Sequence, residues 1–229
     1  MKFNYFIIGL VALVLIAVGI GFHRTAPAQN PPQNAIQPQS LATNPDSTTI
    51  QPAAPANPIV PAKAFVAPIS DASARTTKKF FGTYVTPQNS PVMPERFTGY
   101  HTGLDFETFL DEQNTDVAIN AICSGKLLIK KYASGYGGVA VQACNLDGAA
   151  VTIIYGHLRL SSISPNVGDQ LQAGEKFAVL GTGFSTETDG ERKHLHLAIH
   201  KGSAINILGY VQQKSLLSGW IDPATVVQE

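Results

Sequence analysis

Short β-rich runs recur along the second half of the chain, and turn-forming residues separate them. Helical periodicity is scarce there, whereas Gly- and Asn-containing segments such as 133–138 and 145–148 punctuate the apolar runs. The runs are 117–122, 126–132, 139–143, 149–155, 177–181 and 194–200. Strands joined by such short turns pair antiparallel. The sequence therefore predicts an all-β fold, an antiparallel meander or β-sandwich.

The N-terminus carries an unbroken apolar run over residues 5–22, preceded by Lys2. A bilayer-spanning helix needs about 17–25 such residues, and a signal-peptide core usually has about 7–15. We therefore predict a transmembrane signal anchor over residues 1–24, which places the rest of the chain outside the cytoplasm as a single-pass membrane protein. Ala26-Pro-Ala28 resembles a signal-peptidase site, so cleavage and secretion are the alternative.

Residues 25–64 are composed mainly of Pro, Gln, Asn, Ala, Ser and Thr, with Asp46 and Lys63 as the only charges. This composition cannot bury a core and favours polyproline II, so we predict a disordered linker. The composition becomes globular at residue 65, and residues 65–229 are long enough for one domain with its own core. The formal net charge is zero, which argues against a nucleic-acid partner.

Cys123 and Cys144 are the only cysteines, and they flank the predicted hairpin of residues 126–143. In an exported protein, this placement on neighbouring strands favours a cross-strand disulfide. Two buried free thiols are the alternative. Their spacing matches no cysteine zinc motif.

Five of the six histidines lie between residues 101 and 200. His194 and His196 alternate with leucines, so a strand places both imidazoles on one face. His101 and Asp105 stand four residues apart around Gly103, and His157 follows a predicted strand. Two histidine nitrogens and one aspartate oxygen form a normal zinc ligand set that leaves a position open for water.

These motifs resemble those of the lysostaphin/LytM-type zinc metallopeptidases, which cut peptide bonds in bacterial peptidoglycan. The resemblance covers roughly residues 80–225. Its motifs are His-x-Gly-x-Asp at 101–105, Tyr-x-His at 155–157, Val-Gly-Asp-x-Leu-x-x-Gly at 167–174, His-Leu-His at 194–196 and Asp-Pro at 222–223. The resemblance implies a barrel-sandwich hybrid core and a zinc ion as cofactor. It also implies peptidoglycan stem or cross-bridge peptides as substrates, and a regulatory protein partner is a further expectation.

By the same resemblance, each of the five motif residues has an expected role. The zinc ligands are His101, Asp105 and His196. The catalytic residues, which do not bind the metal, are His157 and His194. Physically, an imidazole with a pKa near 6.5 can take a proton from water and return it to the leaving amine. His200 shares the strand face but stands about 13 Å past His196, so we expect it to be a rim or surface residue.

The segment 184–193 departs from the family pattern because it is longer and charged. Lys193 stands where the family usually has proline. We expect this loop to border the substrate groove; its acidic residues could bind a substrate amine or simply be solvated. They are Glu187, Asp189 and Glu191. Tyr100 and Tyr155 could stabilise an oxyanion or serve in β-sheet packing.

Two other functions compete with the peptidase. A catalytically silent relative could bind cell wall or activate a hydrolase, but such proteins typically lose metal ligands and all five expected residues are present. A biotinyl- or lipoyl-type carrier is suggested by the segment 167–174, yet it leaves the histidines without a role.

Overall fold

A computed structural model describes residues 65–228, the region predicted to form the globular domain. The predicted membrane segment and linker, residues 1–64, lie outside the described residues and stay predictions. Among residues 65–228, no helix has the length and apolar character needed to cross a membrane.

The described region consists mainly of short β-strands. They are β1 (Tyr84–Val85), β2 (Gly99–His101), β3 (Gly103–Glu107), β4 (Ala118–Asn120), β5 (Gly125–Ala133), β6 (Gly137–Leu146), β7 (Ala149–Gly156), β8 (Gln170–Leu171), β9 (Lys176–Val179), β10 (His194–Lys201), β11 (Tyr210–Val211) and β12 (Trp220–Ile221). The helices are one α-helical turn, α1 (Ala72–Arg75), and 3-10 turns at Leu110–Glu112, Leu160–Ser162, Thr186–Thr188, Lys214–Gly219 and Pro223–Thr225.

Seven strands form the main sheet, in the order β12-β10-β7-β6-β5-β8, with β3 also paired to β10. Two smaller sheets accompany it, one of order β1-β2-β11 and one that pairs β4 with β9. Every one of these strand pairs is antiparallel. The prediction of an all-β antiparallel fold is therefore confirmed for residues 65–228.

The hairpin between β6 and β7 shows how local residues build the sheet. Asp147 and Gly148 form its two-residue loop with φ values of 51° and 84°, and the amide of Gly148 donates to Asn145 Oδ1 over 2.8 Å. Two left-handed residues match the twist of the flanking strands, and Asp-Gly is a favoured pair for this turn. The β-branched residues of β7 then extend the strand.

The main sheet is apolar on both faces. Leu195, Leu197 and Ile199 of β10 pack into the larger core cluster, together with Ile119 of β4 and Phe177 of β9. The opposite face carries a smaller cluster that includes Tyr136, Val139, Val141, Ile154, Ala198 and Trp220. His194 and His196 share this second face by strand alternation. The smaller β4–β9 sheet thus covers one face of the main sheet, while the histidines lie on the other.

Cys123 and Cys144 form a disulfide, with their Cα atoms 6.2 Å apart. The bond links the segment before β5 to β6, as the predicted hairpin geometry implied. The predicted pairing of the two cysteines is confirmed and the free-thiol alternative is wrong, but Cys123 lies two residues before β5 and not on a strand.

Candidate metal centre and active site

Strand register brings three predicted site residues together. On β10, His196 lies opposite Asp105 of β3 on one side and opposite Gly156 of β7 on the other. His101 ends β2, and Thr102 joins that strand to β3. Because neighbouring antiparallel strands hold opposite residues within about 5.5 Å, this register places Asp105 and His196 side by side.

The side chains of His101, Asp105 and His196 converge in the protein interior. His101 Nε2 lies 2.9 Å from His196 Nδ1, and Asp105 Oδ1 lies 3.3 Å and 3.2 Å from those two nitrogens. Tetrahedral zinc with bonds of about 2.0–2.1 Å separates neighbouring ligand atoms by about 3.3 Å. The donor types and spacings of this His–Asp–His cluster therefore fit a tetrahedral metal ion.

Two neighbouring features orient the imidazoles. The Phe80 carbonyl lies 3.3 Å from His101 Nδ1 and can only accept, so the Nδ1–H of His101 donates to it and Nε2 is directed at the cluster. A Cβ atom on Gly103 would lie 2.5 Å from the Leu197 carbonyl and 2.7 Å from the His196 ring. The glycine of His-x-Gly-x-Asp is thus required by the close approach of β3 to β10.

The second carboxylate oxygen of Asp105 is bound from outside the cluster. Arg192 Nη2 donates to Asp105 Oδ2 over 2.9 Å, and Arg192 Nε donates to Glu107 Oε2 over 2.9 Å. Burial opposes ionisation of Asp105, but the charges of His194 and His101 hold its pKa well below its usual value. Burial likewise opposes the charge of Arg192, yet its bonds to Glu107 and the charge of Asp105 raise its pKa. Asp105 is therefore an anion with one oxygen directed at the cluster.

His194 lies beside the cluster without belonging to it. Its Nδ1 is 2.9 Å from the Arg192 carbonyl, which can only accept, and its Nε2 is 3.3 Å from Asp105 Oδ2. Nδ1 therefore carries a hydrogen, and Nε2 is the nitrogen that faces Asp105.

His157 stacks near His194, with 4.2 Å between the ring centroids. Its backbone adopts a left-handed φ of 62°, a strained conformation for a non-glycine residue that is associated with functional sites. Burial and then the charges of His194 and His196 lower the pKa of His157 well below its usual value. His157 is consequently neutral at pH 7.

Burial also lowers the pKa of His196 to about 4, against the opposing effect of its bond to Asp105. A neutral imidazole is the form that binds a metal ion. His196 therefore offers a neutral imidazole nitrogen at pH 7.

Four of the five predicted site residues line a cleft of about 270 Å³. Besides four predicted site residues, namely Asp105, His157, His194 and His196, the cleft walls include Tyr136, Glu191 and Tyr210. Sequence reasoning missed Tyr136 because its Gly-rich surroundings indicate only a turn. A large aromatic residue between Gly135 and Gly137 was the available signal.

The charged loop 184–193 is held by partners within the protein. Asp189 accepts from the Gly135 amide over 2.7 Å and from Arg96, which also donates to Glu191 over 3.3 Å. Glu187 accepts from the Thr182 amide over 2.8 Å. Glu191 is the one of the three acidic residues that lines the cleft.

Lys193 is buried and donates to the carbonyl oxygens of Glu112, over 2.8 Å, and Thr115. The lysine that replaces the family's usual proline thus binds the backbone of residues 112–115. It does not line the cleft.

Tyr100, Tyr155 and His200, which the sequence analysis singled out, lie away from the cluster. Tyr155 accepts from the Ile122 amide and donates to Gln142 in the core, over 2.9 Å and 2.8 Å. The ring of Tyr100 packs on Tyr84, 4.8 Å between centroids. Both tyrosines therefore match the packing interpretation. The ring of His200 packs on Trp220 of the neighbouring strand, 4.8 Å between centroids.

Fold and site together define a β-rich protein with a candidate metal centre in a cleft. Residues 99–207 match the family model of Peptidase family M23. The predicted resemblance to LytM-type peptidases is confirmed. No curated protein matches this chain.

Three solved structures illustrate the likeness. The catalytic domain of lysostaphin from Staphylococcus simulans is 23% identical over 67% of this chain and 92% of that one, with a TM-score of 0.44. LytU is 24% identical over 64% and 82%, with a TM-score of 0.42. A zinc-containing peptidase from Vibrio cholerae is 21% identical over 61% and 37%, with a TM-score of 0.41.

Proposed function

We propose that this protein is a zinc-dependent metalloendopeptidase that hydrolyses peptide bonds of bacterial peptidoglycan. The observation that carries the proposal is the convergence of His101 Nε2, Asp105 Oδ1 and His196 Nδ1 at separations of 2.9–3.3 Å, beside a cleft that Asp105 and His196 line. These three residues would hold the zinc ion. The match of residues 99–207 to the model of a peptidase family supports the reaction class.

When bound, zinc polarises the scissile carbonyl and lowers the pKa of a water molecule toward about 7. The chain itself supplies the groups that hold and move protons. His157 lines the cleft and is 5% exposed, and its neutral imidazole can act as a base there. His194 Nε2 can take up a proton beside the charge of Asp105 and pass it to the leaving amine.

The test is digestion of purified peptidoglycan of defined chemistry by the full-length chain, with mass analysis of the released fragments. We expect His101→Ala, Asp105→Ala and His196→Ala to lose zinc and turnover together, because each removes a ligand. His157→Ala and His194→Ala should lose turnover while zinc stays bound. Their matched control is His200→Ala on the same strand face, which should keep both.

Two outcomes would contradict the proposal. Less than about 0.5 zinc per chain after gentle purification would favour the catalytically silent alternative. Wild-type turnover in His157→Ala would remove the catalytic assignment of that residue.

The proposal extends to location and partners. A membrane anchor over residues 1–24 and a linker over 25–64 would let the catalytic domain reach the cell wall, with stem or cross-bridge peptides as substrates. Cleavage of the anchor would give a secreted form. Fractionation of cells that express the tagged chain distinguishes the two, and co-purification from the membrane fraction tests for a regulatory protein partner.

A further inference from the structure

The hydroxyl group of Tyr136 is buried and has no hydrogen-bond partner. The residue is 6% exposed, and its oxygen is among the few buried side-chain polar atoms without a partner in the described part of the chain. An unpaired buried hydroxyl is costly for a folded protein. A hydroxyl in a cleft wall can instead find its partner on a ligand.

The surrounding backbone holds Tyr136 in one place. Gly135 and Gly137 flank it with left-handed φ values of 88° and 70°, which other residues rarely adopt. Its amide donates to the Ala133 carbonyl over 3.0 Å. A Cβ atom on Gly156 would lie 2.5 Å from the Tyr136 ring, so the absence of a side chain there makes room for the ring.

Tyr136 stands next to the reacting groups. Its ring centroid lies 5.4 Å from that of His196 and 5.7 Å from that of His157. Its hydroxyl oxygen points toward Gly209 across the cleft, where an added Cβ atom would lie 3.1 Å away. Tyr136 and Gly209 both line the cleft, so the hydroxyl belongs to the wall that a bound peptide would contact.

We propose that Tyr136 is a catalytic residue that donates its O–H to the scissile carbonyl oxygen as that oxygen gains negative charge. The inference rests on the proposed peptidase function. The hydrogen bond strengthens in the transition state, and the tyrosine keeps its proton throughout. The oxygen of a water molecule forms a bond to the carbonyl carbon and the C–N bond of the peptide breaks. A histidine takes the proton from that water and gives it to the leaving amine.

The test is Tyr136→Phe in the full-length chain, which removes the oxygen and keeps the ring that packs on His196. The substrate is the peptidoglycan fragment that the wild-type chain is found to cut. We expect kcat to fall by about 100-fold, the usual effect of removing one oxyanion donor. KM should stay within about threefold and the zinc content should not change. A phosphinic analogue of the cleaved bond should bind about 100-fold more weakly, because it mimics the transition state.

The matched control is Tyr155→Phe, since the Tyr155 hydroxyl is also buried but is paired in the core. It should lower stability while kcat and phosphinate binding stay at wild-type values. If Tyr136→Phe keeps kcat and phosphinate binding within about threefold of wild type, the role of Tyr136 is wrong although the peptidase function stands. A wild-type chain that binds no zinc and cuts no peptidoglycan would instead overturn the proposed function, and this inference with it.

Discussion

Two Asp-x-Glu pairs in this protein are each bound by a single arginine. The strand clamp consists of Asp105 and Glu107 of β3 with Arg192, and the rim clamp consists of Asp189 and Glu191 of the charged loop with Arg96. The two clamps have the same residue types and the same spacing.

The clamps differ in their exposure to solvent. The difference lies at the arginine and the aspartate: the Arg192 side chain is 11% exposed and that of Asp105 is 2%, whereas those of Arg96 and Asp189 are 45% and 18% exposed. Both glutamates are largely buried, with Glu107 at 11% and Glu191 at 6%. Water can therefore replace the guanidinium of Arg96 but not that of Arg192. A buried ion cannot exchange its partner for water, so removal of one member is costly. An exposed ion pair gains little because water and salt screen it. The same Asp-x-Glu and arginine pattern therefore contributes differently to stability in the two places. Loss of the arginine should cost more in the strand clamp, beside the candidate metal centre, than in the rim clamp at the edge of the cleft.

The largest effect is expected from Arg192→Met. This change leaves the buried Asp105 without its arginine and leaves Glu107 with only the half-exposed Lys78, 3.4 Å away. We expect the free energy of unfolding to fall by about 3–5 kcal/mol. Zinc affinity should fall about 10- to 100-fold, because Asp105 loses the partner that orients it. Urea denaturation and competitive zinc titration measure the two effects.

The control for this prediction is Arg159→Met. Arg159 also binds two acidic residues, Asp116 and Glu187, but at the surface. It should change stability by less than about 1 kcal/mol. An equally small loss in Arg192→Met would contradict the distinction between the buried and the exposed clamp.

A second, intermediate effect concerns pH. Burial lowers the pKa values of His157 and His196, the latter to about 4, so the unfolded state binds more protons than the folded state below pH 6.5. The stability from these neutral imidazoles is fully present above pH of about 6.5 and is lost as the pH falls toward their folded pKa values. For the metal-free protein we expect a loss on the order of 1 kcal/mol per pH unit per histidine between pH 6.5 and 4, measured by urea denaturation.

His157→Gln should reduce this slope, since it removes one of the two buried imidazoles. Arg96→Ala at the rim should leave the slope unchanged. A metal-free protein with the same stability at pH 6.5 and pH 4.5 would show that these imidazoles are not held neutral.

The smallest effect is expected from Arg96→Ala. The loss of the rim clamp should lower the free energy of unfolding by less than about 1 kcal/mol, and the difference from wild type should shrink as NaCl rises from about 0.05 to 1 M. Denaturation at both salt concentrations measures it. A salt-independent loss of several kcal/mol would show that the rim clamp is as strong as the strand clamp.

The sequence predicted the long strands well and the short ones poorly. The run 149–155 corresponds to β7, Ala149–Gly156, because β-branched residues and an Asp-Gly turn act locally. By contrast β1, β11 and β12 have two residues each, too few to show any periodicity. Such strands exist only because a partner distant in the chain pairs with them.

The candidate site divides in the same way. His-x-His and His-x-Gly-x-Asp are local patterns, so the residues that converge in the cluster could be recognised from the sequence. The partnership of Arg192 with Asp105 could not, since it spans 87 residues and depends on the pairing of β10 with β3. Tyr136 was hidden for a similar reason, because its ring meets the histidines only after β6 and β7 have paired.

The sequence by itself therefore determined the class of fold, the disulfide partners and the kinds of atom available to a metal ion. Strand alternation alone placed His194, His196 and His200 on one face, because successive side chains of a strand point to opposite sides. Only the tertiary structure decided that His196 faces Asp105 while His200 packs on Trp220. The register between strands distant in sequence set that difference, because it depends on which backbone groups pair across the sheet.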